Sequence, residues 1–161
     1  KKLPKSVAQK QNNAQRLSEG LEALQGLRPP IVRGNCTHSY YMYPMILDVG
    51  KLRIDRNLVV QALTAEGIEG LTNKYINVHL LPMYQKRIAY ESNGFPWSAS
   101  FCRRNVSYEK GICPVAEHLN DVSYIGYLMC LHHLSDHHVD QMIQAFHKVW
   151  NAIGKGMLNN S

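Results

Sequence analysis

The tightest constraint on this chain lies near its far end, where Ser135 precedes Val139, Met142, Ile143, Phe146 and Val149-Trp150. Residues three and four apart share a helix face, so the spacing predicts an amphipathic helix from Asp136 to about Ile153 with Ser135 as its cap. A helix that is apolar on one side only must bury that side against a second layer. The beginning of the chain makes the same demand. There Val7, Ala14, Leu17, Leu21 and Leu24 form one stripe, and Gly26 with Pro29-Pro30 ends it.

Shorter segments lie between these two helices. Residues Tyr40 to Val49 are rich in aromatic and branched side chains and read as a strand, with Pro44 demoting it to an edge or marking a bulge. In such a strand Tyr41 and Tyr43 point to one side, Tyr40 and Met42 to the other. Leu58, Val59, Ala62 and Leu63 predict a helix over 55–66, with Gly67 in the left-handed cap position. Ile76, Val78 and Leu80 alternate with polar residues and predict a second short strand reaching Pro82. A brief helix over Tyr84 to Tyr90 then stops at Asn93-Gly94, and Phe95 to Lys110 has no periodicity and reads as a long loop. Pro114 suits the first turn of another helix, ending near Val122, with Glu117 favourably placed toward the helix dipole. Tyr127 to Leu131 is a continuous apolar run and reads as a third strand. Three short strands with four or five helices make an α+β domain of two layers.

Length and composition narrow the class. With 161 residues, 45% hydrophobic and 19% charged, the chain suits one folded domain. No apolar run is long enough to cross a bilayer, so no membrane partner is expected. Lys1-Lys-Leu-Pro-Lys-Ser lacks the apolar centre of a secretion leader. Cys36, Cys102, Cys113 and Cys130 are irregularly spaced, as expected of free thiols in a cytoplasmic protein. The net charge is +6, but the basic residues are scattered except at Lys1, Lys2, Lys5 and Arg103-Arg104. No nucleic-acid motif accompanies them, and a solvated surface is the expectation.

Two clusters stand out chemically. Cys130, His132, His133, His137 and His138 offer metal-ligating groups, and His133 and His137 are four apart. Because the helix is expected to start at Ser135, that pair straddles its beginning, where the geometry of a shared face fails. No metal is therefore expected there. The second feature is His79, a side chain that can donate or accept one hydrogen bond.

Gly111-Ile-Cys-Pro-Val-Ala-Glu-His-Leu-Asn120, the run Tyr127-Leu-Met-Cys-Leu131 and His132-His-Leu-Ser-Asp-His-His-Val-Asp-Gln141 occur in an order that is itself informative. Together they resemble the C-terminal part of the DegT/DnrJ/EryC1/StrS sugar aminotransferases. In that family a Pro-Val-Ala-Glu helix start is followed by a short strand and a Ser/Thr-Asp cap. Val78-His-Leu-Leu-Pro-Met-Tyr84 is similar to the family's His-Tyr-x-Pro-x-His stretch, and His38-Ser-Tyr-Tyr-Met-Tyr-Pro44 to its His-x-Tyr-x-Tyr/Phe strand.

The resemblance implies the small C-terminal domain of a fold-type I enzyme, with a short, mostly antiparallel sheet covered by helices. Residues 1–27 would be a linking helix from a large domain and 28–161 the small domain itself. Pyridoxal phosphate would be bound by the large domain, since no segment resembles the family's Schiff-base lysine motif. This chain alone would then hold neither catalytic nor cofactor-binding residues. The intact enzyme would convert a keto sugar, nucleotide-linked, to an amino sugar, with glutamate or glutamine as donor, and would be a homodimer. Its relatives also include dehydratases. His79, Tyr84, His38 and Tyr40 are the substrate-binding residues so implied. A metal-binding or noncatalytic interaction domain is the alternative from other classes.

Overall fold

A computed structural model describes residues 2–90 and 94–158. The predicted stop at Asn93 lies outside them. The elements in chain order are α1 (Leu3–Leu21), β1 (Leu27–Arg28), β2 (Tyr43–Leu47), α2 (Val49–Leu52), α3 (Arg56–Ala65), β3 (Leu71–Thr72), α4 (Pro82–Gln85), α5 (Pro114–His118), β4 (Tyr124–Tyr127) and α6 (Asp136–Gly154). Tight 3-10 turns occupy Val78–Leu80 and Met129–Leu131, and a π turn occupies Leu119–Ser123. The chain divides into two compact units, residues 1–74 with 122–161, and residues 75–121.

The first unit holds the sheet and the long helices. Its strands run β1-β2-β4-β3, every neighbouring pair antiparallel. α1 packs along α6, and α3 also packs against α6. Ala14, Leu17 and Leu21 of α1 are buried, as are Val139, Met142, Phe146, Val149 and Trp150 of α6. Each fully buried Leu, Val or Phe among them contributes about 1.5–3 kcal/mol, so these two stripes supply a substantial part of the unit's cohesion. The helices approach closely at Gly20, where a Cβ would lie 2.5 Å from Ile143 Cδ1. Trp150 Nε1 donates to the Gln25 carbonyl at 2.9 Å, fixing α6 against the chain just beyond α1.

The structure alters several expectations. Pro44 does not make β2 an edge: it stands opposite Gly126 of β4 in an interior strand. Its missing N–H is tolerated because β1 pairs only with Ile46 and Leu47, leaving β2 locally uncovered at Pro44. Alternation starts at Tyr43 rather than Tyr40, because Tyr40 has φ 52°, a left-handed conformation that breaks the pleat. Tyr41 is consequently exposed while Tyr43 is buried.

The strand expected over 76–82 is also absent. Leu80 N–H bonds the Asn77 carbonyl in a 3-10 turn, Ile76 and Val78 are exposed, and the sheet edge beside β4 is taken by Leu71–Thr72. The third strand is displaced toward the N-terminus, to Tyr124–Tyr127, and Met129–Leu131 is a turn. A continuous apolar run marks burial without distinguishing strand from turn. The helix after Pro82 lasts only to Gln85 and gives way to Arg87 at φ 54°, short of the predicted Tyr90. Residues 95–110 carry no regular element, as the aperiodic sequence implies.

Candidate functional site

In the second unit a carboxylate organises the polar groups. Pro114 begins α5 without an N–H, and Cys113 before it supplies no side-chain cap. The Glu117 side chain folds back over this helix start instead. It accepts the Gly111 N–H at 2.9 and 2.8 Å and the Cys113 N–H at 3.1 Å, while Gly111 adopts φ 104°. Glu117 Oε1 also lies 2.9 Å from His79 Nε2. The carboxylate and imidazole side chains are only 8% and 12% exposed, so this is an interior ion-dipole or ion pair according to the charge on His79. Burial pushes the Glu117 carboxyl up, but the Cys113 and Gly111 amides and His79 outweigh it and hold the group below the ordinary carboxylate range.

His79 therefore sits inside a 3-10 turn, not at the end of a strand. Its carbonyl accepts the Gln85 carboxamide at 2.8 Å, and the same carboxamide bonds the Tyr108 carbonyl. This ties α4 to the aperiodic loop. Tyr84 packs its half-buried ring against Tyr108 at 5.2 Å and edge-on to Trp97 at 6.2 Å. Trp97 Nε1 completes the cluster by donating to the Tyr108 hydroxyl at 2.9 Å. The Tyr84 hydroxyl makes no hydrogen bond to the described residues.

His38 and Tyr40 belong to the first unit and lie together, ring centroids 4.3 Å apart. The Tyr40 N–H donates to His38 Nδ1 at 2.8 Å, which leaves Nε2 as the protonated nitrogen of the neutral ring. Gln11 of α1 donates to the His38 carbonyl at 3.1 Å. Tyr40 is buried, stacks 6.2 Å from Tyr43, and has its phenol pushed up by that burial. Tyr43 in turn exchanges a 2.8 Å hydrogen bond with Ser18 of α1.

The histidine-rich segment has local structural duties. His138 completes a reciprocal cap with Ser135 at the start of α6. His132 stacks on Tyr127, centroids 5.3 Å apart, and fills the space where a Cβ on Gly70 would meet its Nε2 at 2.3 Å. His133 and His137 are exposed. Among the described residues no three His, Cys, Asp or Glu side chains are grouped to hold a metal ion.

Glu117, Gln85, Trp97 and Tyr108 escaped the sequence reading of the site. Glu117 alone carried a signal there: a carboxylate three residues after a proline helix start, with a glycine upstream, can fold back onto the exposed amides. The contacts of Trp97 and Tyr108 depend on the course of an aperiodic loop, which has no periodicity to read.

Lys10, the least exposed described lysine, donates to the Met129 carbonyl at 2.7 Å, and the other described lysines are exposed. No helix among the described residues is long and apolar enough to cross a membrane.

The model of the DegT/DnrJ/EryC1/StrS aminotransferase family matches residues 1–124. The spore coat polysaccharide biosynthesis protein SpsC of Bacillus subtilis is 27% identical over 107 residues, covering 66% of this chain and 28% of its own length. Protein MJ1066 of Methanocaldococcus jannaschii is 29% identical over 90 residues, covering 56% of this chain and 23% of its own. The aminotransferase TlmJ from Streptoalloteichus hindustanus has a similar fold, with a TM-score of 0.64 at 22% identity, covering 95% of this chain and 34% of TlmJ. An aminotransferase from Psychrobacter cryohalolentis gives 0.62 at 18% identity, covering 95% of this chain and 36% of its own. The chain thus spans about a quarter of the matched curated relatives and about a third of these structural neighbours.

Proposed function

We propose, on the premise that the chain belongs to the DegT/DnrJ/EryC1/StrS aminotransferase family, that it forms the substrate-facing small domain of a longer enzyme. Residues 1–27 link it to a large domain and 28–161 form the small domain. The reaction replaces the oxygen of a nucleotide-linked keto sugar with an amino group taken from glutamate or glutamine. The family match over residues 1–124 carries this reading, and the relationship to a polysaccharide biosynthesis protein supports a sugar substrate.

Pyridoxal phosphate is held in this reading by the large domain, since no segment of this chain resembles the family's Schiff-base lysine motif. The present residues bind and orient. His38, its Nδ1 occupied by the Tyr40 amide, offers an Nε2–H donor. Tyr84 offers a hydroxyl on a ring steadied by Trp97 and Tyr108. Tyr40 backs His38, and His79 supplies a further polar contact. Each unit offers contacts of its own, and a contact that orients the sugar lowers the entropic part of the barrier. The intact enzyme is a cytoplasmic homodimer in this account.

Transfer of isotope tests the reading. The full-length enzyme, supplied with pyridoxal phosphate, amino-15N glutamate or amide-15N glutamine and a nucleotide-linked keto sugar, should yield a sugar amine carrying 15N. A deoxygenated sugar without nitrogen would assign the chain to dehydration instead.

A further inference from the structure

We propose that Glu117 is a positioning residue that fixes the tautomer of His79 and leaves Nδ1 as an acceptor for a hydroxyl-bearing ligand. This rests on the reading of His79 as a substrate contact and specifies what kind of group it meets. An ionised carboxylate only accepts hydrogen bonds, and the Gly111 and Cys113 amides already direct their protons at Glu117. The remaining partner, His79 Nε2 at 2.9 Å, must therefore donate. A neutral imidazole has a single N–H, so its lone pair is at Nδ1.

Both ends of the residue are restrained. Glu117 holds the ring, and the Gln85 carboxamide holds the backbone carbonyl at 2.8 Å. Nδ1 has no hydrogen-bond partner among the described residues. A neutral Nδ1 takes a proton donor such as a sugar hydroxyl and has nothing to offer a phosphate oxygen. The arrangement consequently favours the sugar over the diphosphate as what His79 reads. A histidine that served only to close the turn would need the bond to Glu117 but no particular response at its other nitrogen.

Ring-nitrogen NMR decides this. In the 15N-labelled chain, above the pH at which the imidazole loses its charge, long-range proton–nitrogen correlations of His79 should show Nε2 protonated and Nδ1 bare. Assignment comes from loss of the signals in His79→Gln. Nδ1 protonation, or an even mixture of tautomers, in the unaltered chain would overturn the proposal without recourse to any variant. Glu117→Gln, which offers an N–H as well as a carbonyl, should convert the single tautomer to a mixture.

In the full-length enzyme, glucose linked to UDP, GDP or dTDP serves as the probe, with the matching nucleoside diphosphate as control. A nucleotide sugar should shift Nδ1 and the nucleoside diphosphate, which lacks the appended sugar, should not. An equal shift with the nucleoside diphosphate would overturn the assignment of Nδ1 to a hydroxyl of the appended sugar. The expected tautomer with no response to any probe would instead remove His79 from the substrate site, a failure of the underlying reading rather than of the Glu117 geometry.

Discussion

At the scale of single residues, Glu117 changes how this part of the chain is understood. Its place after Pro114 suggests a favourable charge near a helix end, but its carboxylate is a buried junction for two amides and an imidazole. What was legible was the residue type and its helix turn; its long-range partner His79, 38 residues away, was not. The junction has a definite pH signature. Because the folded carboxyl is held below the ordinary range, the native state binds fewer protons than the unfolded chain on the acid side. Its stabilisation is fully present above the unfolded carboxylate value and is lost as pH falls through the lower folded value. Melting temperatures taken from about pH 6 down to about pH 2 should show that slope in the natural chain, and Glu117→Gln should flatten it. Parallel curves for the two proteins would contradict the assignment.

At the scale of elements, the sequence was most informative where periodicity and caps agreed. α3 begins one residue after Asp55, whose side chain accepts the Asn57 N–H at 2.7 Å, and α6 begins after Ser135 as expected. Their apolar stripes are long enough to specify one face. The short strands lacked that length, and their existence depended on which segment reached each sheet edge. Leu71–Thr72 pairs with β4 although two residues carry no alternation at all, whereas the alternating Ile76–Leu80 does not. Asp55→Ala should cost about 1 kcal/mol by removing the cap of α3, measured by urea unfolding. No change beyond about 0.3 kcal/mol would mean that the start of α3 is held by tertiary packing alone.

At the scale of the whole molecule, one chain of the family combines a well-packed α+β unit with a second unit rich in exposed aromatic and aliphatic side chains. In the second unit Tyr75, Ile76, Val78, Tyr90, Phe101 and Val115 are all more than half exposed. In the first unit, by contrast, the stripe of α1 and the side chain of Tyr43 are covered, as the one-sided apolar pattern of α1 demands. The resemblance of ordered motifs identified the family and the fold class. The loop contacts around Tyr84 and His79 needed the three-dimensional structure, because they join segments that no local pattern connects.

The central claim is that this chain faces the sugar in a longer transaminase, and His79→Ala in the full-length enzyme tests it most directly. The variant should melt lower, since Glu117 loses one of its partners while keeping the Gly111 and Cys113 amides. Kinetics measured well below that transition should nevertheless show kcat/KM for the keto sugar reduced about tenfold to hundredfold, the equivalent of about 1–3 kcal/mol of lost transition-state binding. The half-reaction with glutamate should be unaltered. A lower melting temperature with unchanged sugar kinetics would contradict the account, leaving His79 a residue that holds its turn and nothing more.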